Sequence, residues 1–106
     1  MSKLIDKELL ESLPALYETE GLLDPICDLK IFTPDVNWSW YIMEINKEDQ
    51  DYCYGYVIGL ESELGYFNLS EIEAVKGPLG LSVERDKFFE PTPFSKVKKI
   101  EDANRC

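Results

Sequence analysis

Hydrophobic and polar positions along this chain repeat with two different periods, and each period names an element. Near the start, Ile5-Asp6-Lys7-Glu8-Leu9-Leu10 reads as the opening of a helix. Asp6 is placed to cap it, Ile5 and Leu10 occupy the two positions of a hydrophobic staple, and Leu9, Leu10 and Leu13 form the apolar stripe. Pro14 stops or kinks that helix. Turn-like Glu20-Gly21 and Asp24-Pro25 follow, and then the period falls to two. Residues 28–33 and 37–46 read as strands joined through Pro34-Asp35, a pair suited to a tight reversal. In the second strand Trp38, Trp40 and Ile42 fall on one face and Ser39, Tyr41, Met43 and Ile45 on the other. Both faces are partly apolar, which predicts a central strand.

A polar loop over residues 47–51 leads to a third strand, residues 52–60. Tyr52, Tyr54, Tyr56, Ile58 and Leu60 line one face; Cys53, Gly55, Val57 and Gly59 line the other, and the glycines leave room there for a closely packed helix. Residues 66–69 read as a short fourth strand. Ser70-Glu71-Ile72-Glu73 has the spacing of a capping box, with Ser70 as the cap of a short helix ending near Gly77-Pro78. Beyond it, residues 86–90 read as strand or extended chain, and Thr92-Pro93 as the cap of a final helix carrying Phe94, Val97 and Ile100. The expectation is a single α+β domain over residues 1–106, with a compact core at about 5–95 and a looser C-terminal tail. It is a four-stranded antiparallel meander, with an N-terminal helix and short C-terminal helices packed on one side.

Composition narrows the function classes. The 106 residues suffice for one core, which at this size removes roughly 65% of the unfolded surface from water, and 44% apolar residues can fill it. Net charge is −10. Residues 1–75 hold 16 acidic and four basic side chains, a balance of −12, whereas residues 76–106 stand at +2. That charge disfavours direct contact with nucleic-acid phosphates or anionic lipid. The chain has no histidine. Serine or cysteine triads, imidazole zinc sites and acid–base catalysis by a group titrating near neutrality are therefore closed to it. Cys27, Cys53 and Cys106 show no CxxC spacing and follow no secretory signal, which predicts reduced thiols in a cytoplasmic protein: Cys27 and Cys53 buried, Cys106 exposed. No apolar run reaches the roughly 20 residues of a spanning helix. No cofactor is expected.

Several groups of residues are candidates for chemistry or binding. Glu61 and Glu63 share a face if their strand continues, about 6–7 Å apart, where mutual repulsion in water is only ~0.6 kcal/mol. They are candidate contacts for a protein partner. Alternatively, together with Glu18 and Glu20, they converge on a hard cation and serve a small carboxylate-metal enzyme of the phosphodiesterase kind. Tyr52 and Tyr54 belong to an alternating row that is either a partner-binding face or a wall beneath a helix. Trp38 is either a stacking surface or core, and the acidity around it favours core. Arg85, between Glu84 and Asp86, is either a clamp for an anionic group or the middle of an internal ion pair. The favoured reading is a non-enzymatic protein-interaction module. A sharper form, resting on charge, has it occupy the DNA site of a basic protein.

Four blocks carry a resemblance: Leu16-Tyr17-Glu18-Thr19-Glu20, Phe32-Thr33-Pro34-Asp35 with Asn37-Trp38-Ser39-Trp40-Tyr41, residues 59–67, and Glu84-Arg85-Asp86. In that order they resemble a small bacterial family known as a domain of unknown function, whose members are often encoded on plasmids and conjugative or integrative elements. The resemblance covers residues 14 to about 95 and implies a bacterial cytoplasmic protein. It transfers no activity or site.

Overall fold

The computed structural model of the chain describes residues 4–104; the expected exposure of Cys106 lies outside them. The first helix, α1 (Lys7–Ser12), begins where the sequence places its cap: Asp6 is extended and accepts the Leu9 N–H at 2.9 Å. Ile5 and Leu10 are both buried in one cluster, as a staple requires. Leu13 is already extended, and Pro14 follows.

The strands β1 (Ile26–Cys27), β2 (Leu29–Phe32), β3 (Ser39–Ile45), β4 (Tyr52–Ile58) and β5 (Ser62–Asn68) come next, then α2 (Leu69–Glu73), β6 (Glu84–Arg85), β7 (Thr92–Pro93) and α3 (Phe94–Asn104). The antiparallel meander is β2 to β5, as expected, with a fourth strand that starts four residues earlier than its periodicity suggests. Two differences enlarge the sheet plan. β6 pairs across β2 and makes a fifth strand, so the order is β5-β4-β3-β2-β6; β1 and β7 form a separate two-stranded ribbon. Thr92 and Pro93 thus lie in a strand rather than capping the last helix.

Helices cover both faces of the sheet, not one. On the first face α1 and α2 deliver Leu10 and Ile72 to a core with Ile31, Trp40, Ile42, Ile45, Cys53 and Leu69. On the second, Val97 of α3 closes a core of Cys27, Tyr41, Met43, Tyr56 and Ile58. Fully burying side chains of this kind stabilises by about 1.5–3 kcal/mol each. The packed core therefore reaches past residue 95, although Ile100 stays half exposed. Every residue of β3 is buried, the mark of the central strand that its two apolar faces predict. Burial pushes the Cys27 and Cys53 thiols up to about 12, so both are held as neutral apolar groups.

Alternation in β3 breaks once. Ile42 pairs with Gly55 and Glu44 with Tyr54, leaving Met43 as an extra residue in a bulge. The bulge resets the faces: Met43 enters the second core and Ile45 the first, opposite to the face that strict alternation assigns Ile45. Gly55 also serves a different neighbour from the expected helix. A Cβ there would stand 1.9 Å from the Tyr41 carbonyl oxygen, so it is β3 itself that needs the space.

The short helices α2 and α3 are held by the same device. In α2 the N-cap is Asn68 rather than Ser70, and Ser70 gives its N–H (2.8 Å) and hydroxyl (3.0 Å) to the two carboxylate oxygens of Asp51. In α3, Ser95 gives its N–H (2.8 Å) and hydroxyl (2.6 Å) to Asp24. The residue before each serine bonds a remote backbone carbonyl, Leu69 to Asp51 and Phe94 to Pro25. An aspartate from a distant loop thus satisfies donors that a local cap would otherwise take. The Ser95 hydroxyl, and then its N–H, hold the Asp24 carboxyl below its ordinary value of 3.8. A depressed carboxyl stabilises the fold above that value, and its contribution fades as pH falls through it and lower. The melting temperature of the wild type should exceed that of Asp24→Asn at pH 7, and the gap should narrow progressively as pH falls below 3.8. A gap that persists in acid would show that the Asp24 charge plays no part.

Candidate functional site

The bulge at Met43 turns Glu44 onto the second face beside Tyr54, where burial leaves the side chain only 3% exposed. A lone carboxyl in a core strand needs donors, and the segment after α1 supplies them. Pro14 accepts the Ile45 N–H at 3.0 Å and Ala15 bridges Ile45 in parallel, filling the place beside β3 that β2 leaves beyond Leu29. From there the chain doubles back over Glu44. One carboxylate oxygen accepts the Tyr17 N–H at 2.8 Å; the other accepts the Thr19 N–H at 3.0 Å and the Thr19 hydroxyl. Tyr17 lies at φ 69°, a left-handed conformation that costs a residue with a Cβ about 1 kcal/mol or more. The bonds from Tyr17 and Thr19 hold it there.

Glu44 thereby fixes the floor of a groove of about 320 Å³. Tyr17, Leu22 and Leu23 of the loop line it together with Tyr54, Leu64 and Tyr66 of the sheet. The lining is exposed to an unusual degree for large apolar groups: Leu23 completely, Tyr17 by 59%, Leu22 by 58% and Tyr66 by 46%. Tyr66 stacks on Tyr52, with ring centroids 5.3 Å apart and planes 7° from parallel, and meets Tyr54 at 4.9 Å. Partial desolvation, with Tyr17 and Glu44 beside it, pushes the Tyr66 hydroxyl up from its ordinary range. The result is a stacked aromatic cluster beside a leucine-bearing loop, a surface able to take up an apolar segment.

A larger cavity of about 850 Å³ lies at the other end of the sheet, between the β2–β3 hairpin and the end of α3. Its charged groups are engaged already. Tyr41 donates to Glu101 at 3.0 Å, and the Lys30 ammonium sits 5.5 Å from the centre of the Tyr41 ring. Burial, then Glu101, raises the Tyr41 hydroxyl far above its ordinary range.

The structure divides the residues that the sequence singles out. Tyr52 and Tyr54 join the aromatic cluster. Trp38 is at the far end of β4, its ring over Gly59 and 6.2 Å from that of Trp40; it borders the larger cavity and is 39% exposed, while Trp40 is core. Glu61 lies in the tight turn after β4, and Glu63 opposite Val57, both exposed. Arg85 sits on β6 at the opposite edge of the sheet, held by its ladder with Ile31. Among the described residues it forms no ion pair with Glu84 or Asp86. Glu18 folds back to accept the Ala15 N–H at 3.2 Å, and Glu20 borders the groove. Among the described residues no three acidic or thiol side chains gather so as to hold a metal ion, so Glu18, Glu20, Glu61 and Glu63 do not converge. No helix of the described residues is long and apolar enough to cross a membrane.

Glu44 carried a signal in the sequence, as the one charge inside Tyr41-Ile42-Met43-Glu44-Ile45. Leu22 and Leu23 carried another, as large apolar residues in a turn-rich acidic stretch. Neither signal says where its residue points. No curated protein and no solved structure matches the chain. One family model does, over residues 4–104, nearly the whole length that bears the groove and both cores. The chain belongs to that family, described as protein of unknown function (DUF2958).

Proposed function

We propose that this chain is a non-enzymatic protein-interaction module that receives an apolar segment of another protein in the groove above Glu44. The observation that supports it is the exposure of Tyr17, Leu22, Leu23, Leu64 and Tyr66 around one depression whose floor is pinned by hydrogen bonds. Large apolar side chains left in water at a fixed spacing are what a partner would cover. The acidic first two-thirds of the chain adds long-range selection for a basic partner. The setting we assign to it is the bacterial cytoplasm, among accessory proteins of plasmids and integrative elements, as the resemblance of the four sequence blocks implies.

Affinity capture from a nuclease-treated bacterial lysate tests this reading. Wild type and Leu60→Ser, an exposed leucine outside the groove, should retain the same protein. Leu22→Ser with Leu23→Ser should retain at least tenfold less while melting within about 2 °C of wild type, since exposed substitutions seldom change stability. Equal retention by all three proteins, or none by any, would count against the groove.

A further inference from the structure

The two edges of the main sheet are built differently. One is β6, two residues long and carrying Glu84 and Arg85. Such an edge, short and charged, is protected against further pairing. The other edge is β5. It has seven residues, contains neither proline nor lysine, and keeps an unbroken register with β4 from Ser62 to Asn68. None of the other described strands pairs with its outer side.

The hydrogen bonds flanking this ladder settle which groups of β5 face outward. Gly59 donates to the Glu61 carbonyl at one end and Leu69 to the Asp51 carbonyl at the other, so the odd-numbered residues of β5 bond to β4. Antiparallel ladders alternate. Leu64 and Tyr66 therefore turn their backbone N–H and C=O groups to the open edge. The same two residues send their side chains into the groove wall. At Gly65, between them, nothing lies within 4 Å of where a Cβ would be, so the opposite face of the strand is open at that point.

We infer that β5 is a docking edge for an extended segment of a basic protein, which adds to the sheet as a sixth strand. This rests on the groove reading above and supplies its mode of recognition. An added strand along seven residues spans about 23 Å, and its alternate side chains fall on the Leu64–Tyr66 side, over the groove. Glu61 and Glu63 stand at one end of the edge and Glu71 just beyond the other, so lysine or arginine flanking the apolar positions completes the match. Charge also selects against a second copy of this chain as occupant, because pairing β5 with β5 would bring together two molecules of net charge −10 each.

A phage-displayed library of random 12-residue peptides, panned against the full chain at low salt, tests the inference. Recovered peptides should alternate apolar residues and carry flanking lysine or arginine. A synthetic copy of one should slow amide exchange at Leu64 and Tyr66 at least tenfold. Methylating its edge-facing backbone nitrogens should weaken binding at least tenfold, and methylating the intervening ones should leave it unchanged. Leu64→Lys should lose the peptide without a change in melting. Peptides that bind with no protection at Leu64 and Tyr66, and that tolerate methylation everywhere, would overturn strand addition while leaving the groove as an interaction site. Recovery of no peptide would overturn both.

Discussion

Glu44→Leu is expected to lower stability by about 3 kcal/mol, because two backbone N–H groups and a hydroxyl lose their acceptor and each stranded donor costs roughly 1–3 kcal/mol. The leucine recovers some of this through apolar burial, which is why the full sum is not expected. For a domain of this length the drop in melting temperature is roughly 12 °C or more. The loss should be local in character as well as large. Hydrogen exchange at the Tyr17 and Thr19 amides, which bond Glu44 at 2.8 and 3.0 Å, should accelerate well before the β3–β4 ladder opens. Thr19→Val removes the hydroxyl donor alone and should cost about 1 kcal/mol. Without its anchor the left-handed Tyr17 relaxes, the loop bearing Leu22 and Leu23 leaves its place, and capture through the groove falls with it. A Glu44→Leu protein that melts within about 2 °C of wild type would mean that the carboxyl does not hold the loop.

The second large effect separates two glycines that face each other in one ladder. Gly55 of β4 pairs with Gly65 of β5, and the two residue types are identical, yet their surroundings are opposite. Gly55→Ala would place a methyl group 1.9 Å from the Tyr41 carbonyl oxygen and 2.9 Å from its carbon. Both atoms are backbone in the central strand, next to the bulge that aims Glu44, so neither can turn aside as a side chain would. Overpacking of this kind typically costs about 1–3 kcal/mol, and about 3 kcal/mol or failure to fold is expected here because the obstruction is main chain. Gly65→Ala meets nothing and narrows the unfolded ensemble, so it should be neutral or stabilising by about 0.5 kcal/mol. Urea unfolding of the two variants beside wild type gives both numbers from one experiment. Equal midpoints for the two alanines would refute the close approach of β3 to β4 at this point.

The α1 cap, the Pro14 stop, the β2–β3 hairpin and the alternating faces of β4 were all legible in the sequence. Each depends on residues a few positions apart whose backbone geometry sets the pattern: Asp6 with Leu9, Thr33 with Trp38, tyrosines two residues apart. The chemistry closed by the lack of histidine was equally legible, since a missing side chain is missing in any fold. Tertiary structure decided the rest, through partners far apart in the chain. Asp51 displaces the capping role of Ser70 from 19 residues away, and Asp24 reaches Ser95 across 71. Tyr17 and Thr19 find Glu44 at 27 and 25. The Met43 bulge exchanges the faces of Glu44 and Ile45 with no local signal that a period count would register. A periodicity assigns residues to a face only while the ladder stays regular. One inserted residue moves everything after it to the other side, and whether a strand bulges is settled by what its neighbours must accommodate, here a buried carboxyl and the loop folded over it.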